Sequence, residues 1–213
     1  MINNLADLRE EYRHLPLLEQ DAHNDPVAQF KHWIAQAVDH GVPLPNAMAL
    51  ATATKDGKPS VRFVLLKDVS AQGFSFYTHA VSAKGRQMQK NPEVALVFYW
   101  TQMHRQVRIE GIAHLLSAAE ADAYFDTRPR GSRLAVHVAD QSVEVESRAF
   151  LEHRMSELAA QYRDETIPRP PTWVGYRVAP ERIEFWQGRE NRLHDRLLYS
   201  REDSDWKIVR LAP

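Results

Sequence analysis

The run Arg182-Ile183-Glu184-Phe185-Trp186-Gln187-Gly188, continuing through Arg189, Glu190 and Asn191 to Arg192-Leu193-His194-Asp195-Arg196, decides how the rest of the chain reads. Ile183 and Phe185 alternate with Glu184 and Trp186, the period-two pattern of a strand, and Gln187-Gly188 breaks it. The strand therefore ends in a polar, charged turn. If Leu193 and Asp195 point one way, Arg192, His194 and Arg196 point the other. Such a face suits an anion, because an arginine fork matches phosphate oxygens in pairs and histidine titrates nearest neutral pH. A solvated basic turn would carry the same residues, so the reading depends on what surrounds it.

Working outward, the 213 residues are 44% hydrophobic, enough for one sizeable core, and no linker-like stretch divides them. The expectation is one domain over 1–213, with a helical segment over about 1–41 packed on it. Lys plus Arg number 27 against 28 Asp plus Glu, so no global field draws nucleic acid or anionic lipid, and any anion site is local. The absence of cysteine excludes disulfides and thiolate metal sites and fits a reducing compartment. No apolar run reaches membrane-spanning length, and Met1-Ile2-Asn3-Asn4 lacks the start of a signal peptide. A soluble cytoplasmic protein with no metal is expected.

Leu5, Leu8, Tyr12 and Leu15 fall at helical spacing behind a capping Asn4. Asp25-Pro26 opens a second helix, with Val27, Phe30, Ile34 and Val38 in a repeat that Gly41 ends. From Ala47 the period becomes two. Ala47, Ala49, Ala51 and Ala53 share a methyl-lined face suited to close packing by a neighbouring element, and Asp56-Gly57 marks a hairpin into Ser60 to Lys67. In a regular strand Arg62 and Lys67 face opposite ways, unless a bulge intervenes. Phe74 to Thr78 reads as the next strand. Ser82 then caps a helix from Ala83 to Lys90, stopped by Asn91-Pro92, and its first turn with Lys84 is a weak candidate phosphate seat.

Glu93 to Trp100 and Gln106 to Leu116 read as strands, and Ser117 with Glu120 forms a capping box. The helix that follows places Tyr124 and Arg128 one turn apart and runs into Pro129-Arg130-Gly131-Ser132-Arg133. This second cationic cluster offers a phosphate several donors, although a solvated loop would look the same. Ser147 starts a helix with Leu151, Met155, Leu158 and Tyr162 at core spacing, ended by Pro168, Pro170 and Pro171. Strands at Val174 to Val178, Arg182 to Trp186, Leu197 to Ser200 and Trp206 to Leu211 complete a sheet. Many strands with interspersed helices predict a mainly β, closed or partly closed barrel, because closure removes exposed edges.

Arg62 to Lys67, Phe76-Tyr77-Thr78, Asn91-Pro92, Arg105-Gln106-Val107, Ser132, Gln141-Ser142, Phe185 to Gly188 and Arg192 to Arg196 together resemble the pyridoxine/pyridoxamine 5'-phosphate oxidase family, from about Arg9 to the end of the chain. The resemblance implies an FMN-binding split β-barrel with peripheral helices, a homodimer with FMN at the subunit interface. By position, Arg62, Phe63, Val64, Leu65, Leu66, Lys67, Tyr77, Thr78, Lys84, Gln106, Gln141, Ser142, Trp186 and Arg196 would hold FMN. Lys67, Tyr124, Arg128 and Ser132 would bind the substrate phosphate, Arg192 and His194 would orient the pyridine ring as catalytic residues, and Arg9 to Tyr12 would help cover the site. The implied reaction oxidises pyridoxine or pyridoxamine 5'-phosphate to pyridoxal 5'-phosphate, with oxygen as acceptor and hydrogen peroxide released. Similar sequences often carry arginine where this chain has Ala83, and Arg86 is the nearby candidate to replace that contact. A split-barrel flavoprotein with another substrate, or a non-catalytic carrier of vitamer phosphates, would fit the same fold.

Overall fold

The computed structural model describes residues 16–213. The helix expected around Leu5 to Leu15, and with it Arg9 and Tyr12, lies outside the described residues. One antiparallel sheet contains β1 (Ala47–Ala53), β2 (Pro59–Leu65), β3 (Asp68–Ser70), β4 (Gly73–His79), β5 (Glu93–Trp100), β6 (Arg105–Leu115), β7 (Trp173–Gln187), β8 (Asp195–Glu202) and β9 (Asp205–Arg210). Around it lie α1 (Pro26–Asp39), α2 (Ala83–Lys90), α3 (Ala118–Asp126), α4 (Arg130–Ala135) and α5 (Arg148–Gln161). The strand order is β2-β1-β5-β6-β7-β4-β3, with β8 added to β7 and β9 to β8.

The sheet divides at β7. One edge of β7 pairs with β6 from Gln187 opposite Arg105 to Tyr176 opposite Leu115. Its other edge is shared, with β4 taking residues 173–178 and β8 taking residues 182–187. Between the two partners sits Pro180, which has no N–H to give a ladder. The register with β6 shifts there too, between Glu110 and Gly111, and only glycine fits, because a Cβ on Gly111 would lie 2.1 Å from the Ala179 carbonyl oxygen. The alternation at 174–178 and 182–186 reads as two strands; the structure joins them through this irregularity into one. At the far ends of the path β2 approaches β4, and the Lys67 N–H donates to the Ser75 carbonyl at 2.8 Å. The curled sheet is a split β-barrel.

Helix α1 plugs it. The Asp25 carboxylate accepts the Val27 N–H at 2.9 Å, Pro26 occupies the first turn, and Gly41 ends the element at φ +69°. Phe30 packs on Phe74 and Phe98 with ring centroids 5.0 and 4.9 Å apart, and Trp33 meets Phe185 edge-on at 5.2 Å. The buried stripe runs through Phe30, Trp33 and Ala37, which turns Val38 outward instead of into the core. Met48, Leu50 and Thr52 of β1 point inward, whereas the alanine face opposite them stays half-exposed. A second core of Phe125, Leu134, Leu158, Ile167 and Trp173 fixes α3, α4 and α5 against the start of β7. The capping box at Ser117 and Glu120 is present, and α4 forms where the Pro-Arg-Gly pattern suggests a loop. On α5 only Leu158 of the expected stripe is fully buried.

Candidate functional site

A cavity of about 800 Å³ opens between β2, β4, α2, the turn from α3 to α4, and residues 141–142. Its wall carries Arg62, Lys67, Lys84 and Arg128 and, among the described residues, no carboxylate. Strand parity separates Arg62 from Lys67, yet both reach the cavity, because β2 ends at Leu65 and the chain turns before β3. Arg62 Nη1 donates to the Leu50 carbonyl at 3.0 Å and to Thr52 Oγ1 at 2.6 Å. Lys84 lies in the first turn of α2, where Ser82 Oγ caps the Gly85 N–H. Its Nζ donates to Thr78 Oγ1 at 3.0 Å and Gln141 Oε1 at 2.6 Å, and the Ala83 N–H donates to Ser142 Oγ at 3.3 Å. Gln141 and Ser142, uninterpretable alone in the sequence, are therefore tied to the α2 turn. Burial holds the Lys84 ammonium down to about 8, and the Arg62 charge adds to the effect. A bound anion would oppose both causes.

On the opposite wall the rings of Tyr77, Tyr124 and Trp173 lie nearly parallel, with the Tyr77 centroid 4.1 Å from Tyr124 and 5.1 Å from Trp173, planes within 15° and 8°, and Tyr124 6.1 Å from Trp173. Lys67 Nζ stands 5.9 Å from the Tyr124 centroid. Arg128 follows the end of α3 rather than sitting on it, and its guanidinium lies 4.7 Å from the Trp173 ring. Its Nη1 is buried with no hydrogen-bond partner among the described residues. A buried cationic donor costs stability unless it is paired, so this orphan fits a phosphate group arriving in the cavity. Ser132 of α4 also reaches the cavity lining.

The remaining candidates cluster at the other end of β7. Gln106 stands opposite Trp186, and Trp186 opposite Arg196, one row across three strands. Arg192, His194 and Arg196 do not share the expected alternating face. Asn191 and Arg192 adopt left-handed φ values of +55° and +60° in a 3-10 turn, so His194 precedes β8 and only Arg196 lies in it. The His194 ring centroid is 4.7 Å from that of Trp186, and its Nδ1 accepts the Arg189 N–H at 3.1 Å. In the neutral ring the proton therefore resides on Nε2. Burial, and then the Arg192 charge, lower the His194 pKa from its ordinary value. Arg196 donates to both oxygens of Glu184, at 2.8 and 3.2 Å. Asp195 accepts from Arg210 at 2.7 Å and from the Leu17 N–H at 3.1 Å, while Arg210 grips Glu19 and the Leu17 carbonyl. The described chain thus begins beside His194.

None of Gln106, Trp186, Arg192, His194 and Arg196 lines the cavity. Gly175 stands opposite Tyr77, and from there to Trp186 at about 3.3 Å per residue is roughly 35 Å along β7. Phe63, Val64 and Leu65 lie on the cavity rim, with Phe63 78% exposed. Leu66 is in the core, its N–H and carbonyl both bound to Asn46. Arg86, the candidate to replace an arginine at Ala83, is exposed and donates to the Val81 carbonyl, outside the cavity lining. Sequence reasoning passed over Trp173 and Glu184. An aromatic opening a strand after Pro170-Pro171, and a carboxylate two residues from Trp186 on one strand face, were the available signals. Among the described residues no cluster of His, Asp and Glu is arranged for a metal, and no helix is long and apolar enough to cross a membrane.

Residues 34–162 match the family described as "Pyridoxamine 5'-phosphate oxidase", and residues 173–213 match "Pyridoxine 5'-phosphate oxidase C-terminal dimerisation region". The chain is 55% identical over 210 residues to the pyridoxine/pyridoxamine 5'-phosphate oxidase of Rubrobacter xylanophilus, covering 99% of this chain and 97% of that protein. It is 53% identical over 214 residues to the one from Nostoc punctiforme, covering both completely. Among solved structures, PhzG from Burkholderia lata 383, in complex with tetrahydrophenazine-1-carboxylic acid, superposes with a TM-score of 0.90 at 34% identity, over 96% of this chain and 100% of that one. A pyridoxamine 5'-phosphate oxidase-related, FMN-binding protein from Nostoc punctiforme shares the fold, with a TM-score of 0.70 at 19% identity over 86% and 97% of the two chains. Matched along its whole length in sequence, the chain belongs to the pyridoxine/pyridoxamine 5'-phosphate oxidase family.

Proposed function

We propose that this chain, one domain per copy, is an FMN-dependent oxidase that converts pyridoxine 5'-phosphate and pyridoxamine 5'-phosphate to pyridoxal 5'-phosphate, with each site built from two copies. The observation that carries this reading is the division of the candidate residues between two ends of β7 that one copy cannot bring together. The dimerisation region matches residues 173–213, which contain Trp186, Arg192, His194 and Arg196 of the strand-end cluster. The outward apolar residues of edge strand β2, Val61 at 70% and Phe63 at 78% exposure, fit burial against a second copy.

In this reading Arg62, Thr78, Lys84, Gln141 and Ser142 hold the FMN phosphate, and Gln106, Trp186 and Arg196 of the other copy complete the flavin site. Bound FMN supplies the two-electron acceptor that side chains lack. Lys67, Tyr124, Arg128 and Ser132 take the substrate phosphate, and the Tyr77, Tyr124 and Trp173 stack forms an apolar floor. Arg192 and His194 set the orientation of the pyridine ring, so positioning supplies much of the rate. Neutral His194 keeps Nδ1 on the Arg189 N–H and a proton at Nε2 as a donor. Arg9 and Tyr12, assigned to the substrate by the resemblance, lie outside the described residues; beside His194, Asp195 and Arg210 clamp residues 17 and 19. Overall, pyridoxine 5'-phosphate and oxygen give pyridoxal 5'-phosphate and hydrogen peroxide, while the pyridoxamine form also takes up water and releases ammonia. The cysteine-free composition suits a reducing cytoplasm.

The purified protein should show a flavin spectrum and, given pyridoxine 5'-phosphate in air, form pyridoxal 5'-phosphate and peroxide together. Flavin without turnover would favour the second reading, oxidation of another aromatic anion, which the likeness to PhzG supports. Failure to bind added FMN would contradict both.

A further inference from the structure

We propose that Glu184 is the positioning residue for Arg196, and that this buried carboxylate increases the protein's affinity for FMN although it carries the same sign of charge as the ligand. The inference rests on the reading that Arg196 meets the flavin. Glu184 is 6% exposed and stands on β7 two residues before Trp186, on the same strand face. Arg196 lies directly opposite Trp186, so its side chain leans diagonally across the ladder to reach Glu184, a spacing that long side chains span. Its Nε and Nη2 donate to the two carboxylate oxygens, at 2.8 and 3.2 Å, and its Nη1 donates to the Ala212 carbonyl at 2.8 Å. Arg108 Nη1 secures Glu184 from the other side at 3.2 Å.

A guanidinium has five N–H groups, and these three bonds leave one on each terminal nitrogen for a ligand. The fork is thus aimed before the ligand arrives. Without Glu184 the ligand would have to order the side chain itself, and affinity falls when a binding-competent arrangement is only partly populated. The Ala212 carbonyl gives the last residues of the chain a part in the same arrangement.

The sign of the effect decides between explanations. FMN is titrated into flavin-stripped full-length dimer, following quenching of its fluorescence, for wild type, E184Q, R196A and the double variant. Positioning predicts that E184Q raises the FMN Kd about tenfold and that E184Q adds nothing once Arg196 is alanine. Through-space charge alone predicts the reverse, tighter FMN binding by E184Q, and would overturn the proposal. A lowered melting temperature with unchanged Kd would make Glu184 a structural ion-pair partner only, and would overturn it too. An unchanged Kd for R196A would refute the reading of Arg196 itself, which separates the two failures. Should E184Q not fold, deletion of residues 212–213 removes the Ala212 carbonyl without opening the core. Its Kd should rise about threefold, and no rise would contradict the proposal.

Discussion

The cavity beside α2 and the cluster at the far end of β7 are both rich in cations, but their charges are managed in opposite ways. Among the described residues, Arg62, Lys67, Lys84 and Arg128 line a cavity wall without carboxylates, Lys84 is held down to about 8, and Arg128 Nη1 has no partner. At the strand end Arg196 is fixed by Glu184, and Arg210 by Glu19 and Asp195. The first region leaves its cations open to an anion; in the second, Arg196 and Arg210 are paired internally, which holds those side chains in place. A cationic cluster by itself therefore does not say what it does. Whether its charges are already paired distinguishes gripping from aiming.

Substitutions in the two regions are therefore expected to fail differently. The largest effect is expected at the aiming end. Arg192→Ala or His194→Ala should lower kcat by about a hundredfold or more, the scale of a misoriented substrate, while the FMN Kd moves only a few-fold. Flavin loss with normal turnover per remaining flavin would break the assignment. On the gripping side Arg128→Ala should raise KM for the phosphorylated substrate by roughly thirtyfold with a smaller change in kcat, as removal of a charge-assisted hydrogen bond implies. An unchanged KM removes Arg128 from the phosphate site.

Two pH profiles sharpen the comparison further. Because burial lowers the Lys84 pKa to about 8, the ammonium facing the anion is present below that pH and lost above it. FMN affinity should weaken by up to about tenfold per unit above pH 8 as binding takes up a proton, and Lys84→Met should abolish that slope. The smallest effect belongs to the paired region. The Arg210 hydrogen bond lowers the Glu19 carboxyl to about 2, so its contribution to stability is complete above the ordinary value of 4.5 and disappears as pH falls toward 2. The melting temperature of Glu19→Gln should be less sensitive to acid than wild type across that window; equal sensitivity would show that the clamp contributes nothing measurable.

The sequence foretold what local chemistry determines. Asp25-Pro26, Ser82, the Ser117 and Glu120 box and Asp56-Gly57 each satisfy or turn their own backbone, and the elements they bound were legible to within a residue or two. Long-range features were not. That Pro180 and Glu181 lie within one bent strand depends on the β6 register shift, and that Arg62 and Lys67 share a cavity depends on where β2 stops. The left-handed backbone at Asn191 and Arg192 broke the parity that the Arg-x-His-x-Arg spacing suggested. Resemblance put the site residues into one group, but only the pairing along β7 reveals that the group is split between its ends. Pairing of Glu184 with Arg196 joins two strands and leaves no local trace.

The central claim is that a site needs the cavity of one copy and the strand end of another, and subunit mixing tests it most directly. Arg128→Ala and His194→Ala proteins, each nearly inactive under the assay conditions, are unfolded together, refolded as mixed dimers and assayed. If each site draws on both copies, the mixed dimer carries one intact site beside one doubly damaged site, and the random mixture should recover about a quarter of wild-type activity. If both regions served the same chain's site, mixing would recover nothing, and that result would contradict the account.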